Sequence, residues 1–357
     1  GETPAFVAHR LRVYERIKTQ RALQTCQQQN NIPPPISITL PDGSVREGVS
    51  GITSPLDIAK DIHKRLAEQA VAAKVNGVLW DLTRPLVESC ELQIVKFGDD
   101  EGRHVFWHSS AHVLGQALEL THGAHLVTGP ALEDGFFYDV YTGNETISAA
   151  HAEELEGCVA NITKQGQPFE RMELTRDEAL EMFSYNQFKC DVIRRKVPEG
   201  GMCTAYRCGP LIDLCRGPHL PHTGLVKAFS VTKNSAAYYK GSQDEASLQR
   251  VYGVSFPDKK ALKEHKALLE EAKKRDHREI GRQQELFMFH PLSPGSAFFL
   301  PHGVRIYNKL VGLLQQEYVK RGYQEVITPN LFNMKLWEQS GHAAHYKENM
   351  FLLRWGR

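Results

Sequence analysis

Two pairs of residues in this sequence have types and spacing that could do chemistry. His108 and His112 are four residues apart in the segment WHSSAHVLGQALEL. That segment is predicted to be helical, and residues four apart share one face of a helix. Cys215 and His219 are also four residues apart, in DLCRGPH, where the Gly-Pro turn between them would let both side chains converge on one point.

Spacing alone leaves three interpretations of this set open. Imidazole and thiolate are zinc ligands, and four of them complete a tetrahedron; Cys208, seven residues before Cys215, would add a spare thiol. The second interpretation is a metal-free hydrolytic pocket, in which histidines position a water and neutral donors hold an ester. The third is a scatter of core histidines and a cysteine without a shared role.

The elements that must position these residues lie in 103–255, which we predict to be a mixed α/β domain. It opens with the histidine helix. Short strands, GFFYDVY, CTAYRCG and LVKAFSV, then alternate with helices at about 149–165 and 175–185.

A separate module is predicted over residues 36–98. The strand ISITL leads into a hairpin at Asp42-Gly43, and CELQIVKF closes the module as a further strand. Between them we predict a helix from Ser54-Pro55 to about Gln69 and a second hairpin at Asn76-Gly77. This pattern indicates an α+β, β-grasp-like fold without groups for chemistry, hence a binding or spacer module.

Three further segments flank these two domains. Residues 1–35 predict a basic helix and a proline linker, with a solvated charged helix favoured over one that touches RNA. Residues 256–285 predict a charged helical connector with a thin apolar stripe. Residues 286–357 predict a turn-rich segment, an amphipathic helix and the strand YQEVITP, too little to bury a core of their own.

Composition sets limits on function. The chain has 357 residues, is 41% hydrophobic and carries a formal net charge of +1, so any RNA-binding surface must be a local basic patch. Seven cysteines, with no CxxC pair, indicate a reducing compartment. No apolar run reaches the length of about 18 residues that a membrane span requires. We therefore predict an α+β multidomain protein.

Several segments resemble the threonyl-tRNA synthetase family, in order along most of the chain. They are WHSSAHVLGQALE, GPALEDGFFYDV, YRCGPLIDLCRGPHLPHTG, LQRVYGVSFPD, EEAKKRDHREIG and QELFMFHPLSPGSAFFLPHG. The resemblance implies a TGS domain at 36–98 and a tRNA editing domain at 103–255. It also implies the start of a class II catalytic domain with an antiparallel sheet at 286–357, where GYQEVITP corresponds to motif 1.

The resemblance also assigns roles to single residues. In the family the editing pocket acts without a catalytic metal, whereas the similar alanyl editing domains bind zinc, so no metal ligand is expected here. A tyrosine lines the pocket and binds substrate, here Tyr138. The residues that match the family's catalytic positions are His108, His112, Cys215, His219, Lys189 and Asp213.

The activity implied is that of a threonine–tRNA ligase, which charges threonine tRNA at the expense of ATP and hydrolyses seryl-tRNA as proofreading. The resemblance implies no cofactor in this chain. It implies that ATP, magnesium and a zinc ion that recognises threonine bind only in the missing catalytic portion. The partners implied are threonine tRNA and, through motif 1, a second copy of the enzyme, with no membrane. The location implied is the cytoplasm, with the mitochondrion as the alternative.

Departures from the family keep two other functions open. Class II motifs 2 and 3 and the anticodon-binding domain are missing from these residues, and the final RWGR does not match the family's continuation. The chain could thus be a stand-alone or truncated editing deacylase. It could also be a synthetase-derived structural protein such as a mitochondrial ribosomal component, although all seven editing residues are retained.

Overall fold

A computed structural model describes residues 4–28 and 33–353, with the backbone alone for 24–28. By contacts the chain divides into two units, Gly1–Ala267 and Leu268–Arg357. None of the described helices combines the length and the apolar character needed to cross a membrane. Helices and several small sheets alternate along the chain, which is an α+β multidomain protein.

The first helix, α1 (Ala5–Gln28), is not the solvated helix favoured from sequence. Its residues Val13, Tyr14 and Ile17 are buried in one hydrophobic cluster with residues of the 103–255 domain. Its basic side chains form ion pairs with acidic residues of that domain, for example Arg16 with Glu181 at 2.6 Å. The prediction failed because the partners of this helix lie more than 100 residues away in the sequence.

Residues 36–98 form a five-stranded sheet and two short helices. The strands are β1 (Pro35–Thr39), β2 (Val45–Val49), β3 (Ala70–Val75), β4 (Val78–Trp80) and β5 (Cys90–Lys96), in the order β2-β1-β5-β3-β4. Strands β1 and β5 pair in parallel and the other neighbours are antiparallel. Both predicted hairpins are present.

The single helix predicted from Ser54 to Gln69 is two helices, α2 (Pro55–Ile62) and α3 (Lys64–Gln69). Ser54 caps the first as predicted, in a capping box with Asp57. His63 interrupts the helical run with extended backbone angles and caps α3 with its side chain. A histidine can do this because its ring nitrogen accepts the free N–H of Arg65.

Residues 100–256 contain the elements that position the candidate site. The helices are α4 (Asp100–His122), α5 (Ala152–Gln165), α6 (Arg176–Met182) and α7 (Gln187–Lys196). The strands are β6 (His125–Thr128), β7 (Ala131–Leu132), β8 (Gly135–Tyr141), β9 (Phe169–Thr175), β10 (Met202–Cys208), β11 (Leu211–Leu214), β12 (Ala228–Tyr238) and β13 (Ser247–Phe256). They form one sheet of order β11-β10-β9 and one of order β12-β13-β8-β6, with β7 beside β8.

Helix α4 lies in the middle of the largest hydrophobic cluster. Val113, Leu114, Ala117 and Leu118 are fully buried there together with side chains of β8. Acidic residues occupy its first turn and Gly123, in the left-handed conformation at φ 59°, ends it. A helix buried on most sides holds its side chains rigidly, which suits it to carry a site.

The remaining elements are α8 (Lys259–Lys274), α9 (His277–Gln283), β14 (Phe287–His290), β15 (Ser293–Phe299), α10 (Pro301–Lys320), α11 (Met334–Gln339) and α12 (His342–Tyr346). The charged connector is helical as predicted, but in two pieces. Asp276 stands between them and caps α9 by accepting from the Arg278 N–H. The segment predicted to be turn-rich is a hairpin of β14 and β15.

The strand predicted for YQEVITP is absent. Val326 and Ile327 are exposed, and no strand within 33–353 pairs with this segment. A strand needs a hydrogen-bonded neighbour, so the β-branched residues alone do not form one. The closing RWGR segment and residues 29–32 lie outside the described residues.

Candidate functional site

Helix α4 presents two histidines one turn apart on a single face. The ring centroids of His108 and His112 are 5.3 Å apart. His112 is buried, whereas His108 is partly exposed. The helix therefore places one imidazole at the surface of the site and one beneath it.

The loop that follows β11 brings Cys215 and His219 to the same place. The His219 ring lies 4.7 Å from that of His108 and 4.4 Å from that of His112. The Cys215 sulfur lies 3.4 Å from His108 Nε2 and 3.2 Å from His219 Nε2. One ligand atom from each of these four residues lies within 4.8 Å of the others.

The hydrogen-bond network fixes the tautomer of His219. The Ser109 hydroxyl donates to the Val105 carbonyl at 2.8 Å and lies 3.0 Å from His219 Nδ1. Because that hydroxyl has only one hydrogen, Nδ1 of His219 must be the donor between them. Nε2 then carries a lone pair and accepts from the thiol of Cys215.

Asp213, on β11, is the electrostatic centre of the site. Its carboxylate is 2.5 Å from Lys189 Nζ and 3.4 Å from His112 Nδ1, and it accepts a hydrogen bond from the Tyr138 hydroxyl. Burial alone would raise the pKa of Asp213, but Lys189, His112 and Tyr138 outweigh burial and lower that pKa to about 2. The carboxylate is thus ionised at neutral pH.

The imidazoles of the site are neutral at neutral pH. Burial lowers the pKa of His112 to about 4, against the attraction of Asp213. Burial, with repulsion from His112 and His104, lowers the pKa of His108 to about 3. Burial also lowers the pKa of His219 well below its usual value and raises that of the Cys215 thiol to about 12. Neutral imidazoles can accept protons, and a protonated thiol is a poor nucleophile.

A cleft of about 560 Å³ opens over this network. Six of the seven residues singled out from sequence line it, and His219 does not: it is 1% exposed and lies behind Cys215. The two pairs therefore converge on one site, but only three of their four side chains line the cleft. The spacing of Cys215 and His219 does not predict how deeply each side chain is buried. In the structure the Cys215 side chain faces the cleft and the His219 side chain faces the interior.

Tyr138 lines the cleft and also makes a contact that the sequence did not predict. It is 1% exposed and its hydroxyl is directed to Asp213, so it supports the carboxylate as well as lining the cleft. A Cβ added at Gly129 would lie 2.4 Å from its ring, so only glycine leaves room for it there.

Sequence reasoning missed several residues of the site. Ser109, which orients His219, stands inside the HSSAH segment beside His108, and a hydroxyl between two candidate histidines is the signal that could have found it. Four cationic side chains along the cleft gave no signal, because they come from three separate parts of the chain: Arg195 and Lys196 from α7, Lys240 from the turn after β12, and Arg250 from β13. Three of them are ion-paired, Arg195 and Lys240 with Asp191 and Arg250 with Asp139.

Two domain families match parts of the chain. The TGS domain matches residues 36–96, and the threonyl and alanyl tRNA synthetase second additional domain matches residues 203–252. Over 348 residues the chain is 51% identical to the cytoplasmic threonine–tRNA ligase of Caenorhabditis elegans and 49% identical to threonine–tRNA ligase 1, cytoplasmic, of Homo sapiens. Both matches cover 98% of this chain, and 47% and 48% of those relatives.

Over almost its whole length the chain is similar to threonyl-tRNA synthetases. It is also 52% identical over 342 residues to mitochondrial threonine–tRNA ligase 1 of Arabidopsis thaliana, which covers 94% of the chain and 48% of that relative. The chain thus spans about half the length of the curated relatives it matches. The second of these matches contains β11 with Asp213 and the loop that carries Cys215 and His219, and it begins at the second residue of β10.

Proposed function

We propose that this chain is the proofreading portion of a threonine–tRNA ligase and that its cleft hydrolyses seryl-tRNA. The observation that carries the proposal is the contact of an ionised Asp213 with a neutral His112 at the floor of an open cleft. A carboxylate that orients an imidazole is the arrangement of a general base and its positioning group. The similarity to threonyl-tRNA synthetases supplies the substrate class.

A separate hydrolytic site is needed because a binding pocket alone discriminates poorly between serine and threonine. Serine lacks one methyl group of threonine, and a pocket distinguishes such a difference by only about 1–3 kcal/mol. Translation needs a larger ratio, which a second site achieves by destroying the wrong product. That product is an ester between the serine carboxyl group and the terminal ribose of tRNA.

Each residue of the cleft has its own role in the proposed hydrolysis. A water in the cleft attacks the ester carbonyl carbon while His112 accepts its proton, and Asp213 stabilises the imidazolium that forms. Lys189 lines the same cleft and stabilises the oxyanion. The bond from the carbonyl carbon to the ribose oxygen then breaks, and the ribose oxygen leaves as a hydroxyl with a proton from His112. Free serine and uncharged tRNA are the products.

The structure suggests how threonine is spared. His108 and Cys215 are partly exposed at the cleft. In this proposal they would lie against the amino acid end of the ester. The extra methyl of threonine would displace the water or misplace the carbonyl. A misplacement of about 1 Å can cost on the order of a hundredfold in rate.

The four-residue set also fits a zinc ion by its donor chemistry. His108, His112, Cys215 and His219 offer three imidazoles and a sulfur, which is a tetrahedral zinc set. Bound zinc would polarise the ester carbonyl or acidify a water. Our proposal needs no metal, since the Asp213–His112 pair accepts the proton and Lys189 supplies the positive charge.

The complete protein, we propose, charges threonine tRNA with ATP and magnesium in a class II catalytic domain that starts within 286–357. It acts as a homodimer in the cytoplasm. A synthetase-derived structural protein is disfavoured, because such a protein would be free to lose the contacts around Asp213, and here they are intact.

The direct test uses the chain as it is. Purified chain is mixed with seryl-tRNA or threonyl-tRNA made on threonine tRNA, and the remaining ester is followed with time. We expect fast loss of seryl-tRNA and little loss of threonyl-tRNA. Equal rates for the two esters, or no hydrolysis of either, would overturn the proposal.

A further inference from the structure

The TGS domain places one buried carboxylate inside the neighbouring domain. Asp81 directly follows β4 and is 7% exposed. Its Oδ1 accepts a hydrogen bond of 2.9 Å from the backbone N–H of His219, and its Oδ2 accepts one of 2.7 Å from the Tyr206 hydroxyl. Both partners are buried, and both lie more than 120 residues further along the chain. One side chain therefore joins the TGS domain to the floor of the cleft.

The two partners of Asp81 together hold the Cys215–His219 loop. The ring of Tyr206 lies 4.5 Å from that of His219, edge to face. The loop passes so close to Tyr206 that a Cβ at Gly217 would lie 2.1 Å from the tyrosine oxygen. The position of the loop is thus set by the tyrosine hydroxyl, and Asp81 holds that hydroxyl.

His219 transmits this position to the cleft. Its ring is held between Ser109 on one side and Cys215 on the other, with Nε2 3.2 Å from the sulfur. Cys215 lines the cleft, although His219 does not. A shift of the His219 backbone would therefore move Cys215 relative to His108.

A buried carboxylate must be satisfied by hydrogen bonds, or it destabilises the fold. The side-chain hydrogen bonds of Asp81 among the described residues both run to the neighbouring domain and none to its own. An apolar residue would serve the TGS core without that cost. The contact thus points to a role in the neighbouring domain.

We propose that Asp81 is a positioning residue for the editing pocket, through which the TGS domain fixes the loop that carries Cys215 and His219. The proposal rests on the function proposed above for that pocket. It assigns the TGS domain a part in hydrolysis in addition to any contact it makes with tRNA.

The test compares four variants of the full-length enzyme. Asp81→Ala removes both hydrogen bonds. Asp81→Asn keeps an acceptor for the His219 N–H and an amide that can donate to the Tyr206 oxygen, so it is the conservative rescue. Tyr206→Phe removes one of the two bonds. Asp61→Asn, at an exposed position of the same domain, is the matched control.

We expect Asp81→Ala to lower kcat for seryl-tRNA hydrolysis by about tenfold or more with little change in KM, since a displaced group lowers the rate without weakening tRNA binding. Tyr206→Phe should fall between Asp81→Ala and the wild type. Asp81→Asn should retain most of the activity, and aminoacylation should be unchanged in all four. A kcat of Asp81→Ala equal to that of the control would overturn the proposal.

A second measurement does not depend on hydrolysis. In the chain labelled with ¹⁵N-histidine, the ring of His219 should show the form protonated at Nδ1, and Asp81→Ala should shift its signals whereas Asp61→Asn should not. Unshifted His219 signals in Asp81→Ala would overturn the proposal even if hydrolysis fell. If the wild type does not hydrolyse seryl-tRNA at all, the proposed function fails, and the histidine signals still decide the role of Asp81.

Discussion

Arg10 and Glu119 form a doubly hydrogen-bonded ion pair in the interior of the protein. Each of two guanidinium nitrogens lies 2.6 Å from a different carboxylate oxygen, and the two side chains are 1% and 2% exposed. Arg10 comes from α1 and Glu119 from the helix that carries His108 and His112. The N-terminal helix is thereby a structural part of the domain that contains the cleft.

Removing Arg10 should destabilise the protein strongly. Arg10→Ala leaves Glu119 buried without its partner, and breaking a buried pair on one side costs about 3–5 kcal/mol. The double variant Arg10→Met with Glu119→Gln should recover much of that loss. The measurement is urea unfolding followed by circular dichroism. The control is Arg12→Ala, at an exposed position of the same helix, whose free energy of unfolding should stay within about 0.5 kcal/mol of wild type. If Arg12→Ala lost as much stability as Arg10→Ala, the interpretation would be refuted.

Stability should fall as the pH is lowered from about 6.5 towards 4. Burial lowers the pKa of His112 to about 4, so in this range the unfolded chain binds a proton there that the folded chain does not. Each such histidine then costs about 1.4 kcal/mol per pH unit. The measurement is the free energy of unfolding in urea of chelator-treated protein at pH 7 and at pH 5. His112→Gln should reduce the pH dependence, whereas His104→Gln, two turns earlier on the same helix and exposed, should not. An unchanged pH dependence in His112→Gln would contradict the argument.

Chelation should leave hydrolysis intact. In the proposed mechanism Asp213 and His112 handle the proton without a metal ion. The rate of seryl-tRNA loss is measured before and after dialysis against a strong chelator, and bound zinc is quantified by mass spectrometry. Loss of activity on chelation that zinc restores would show that the four-residue donor set works as a metal centre.

The intact enzyme should be a dimer held in part by α10. Ile306, Leu310 and Leu313 are 49%, 57% and 54% exposed in the isolated chain, and they lie on roughly one face of that helix. Such an apolar face is typical of a two-fold interface. Leu310→Asp should shift the full-length protein to the monomer in sedimentation, and Lys309→Asp should not. A full-length wild type that sediments as a monomer at micromolar concentration would remove this prediction.

The residues of the site were easier to predict from sequence than their surroundings. His108 and His112 share a helix, so a period of 3.6 residues already places them together. The contacts of Asp213 with Lys189 and Tyr138 join three separate elements, and no local pattern encodes such contacts; only the resemblance to the family put these residues on one list. The docking of α1 was missed for the same reason, because the partner of Arg10 is 109 residues away.

The segment YQEVITP shows the opposite error. Its β-branched residues favour a strand, but Val326 and Ile327 are exposed and unpaired with any strand within 33–353. Local propensity gives a strand only where a neighbouring strand accepts its hydrogen bonds. The catalytic sheet of the complete enzyme would be the natural neighbour.

The most direct test of the site is the effect of His112 on hydrolysis of seryl-tRNA by the full-length enzyme. His112→Ala is compared with His104→Ala, an exposed histidine of the same helix. Loss of the proton acceptor should lower the rate by at least about a hundredfold, and His104→Ala should stay within about twofold of wild type, with aminoacylation preserved in both. Hydrolysis by His112→Ala at the wild-type rate would contradict the assignment of this cleft as the editing site.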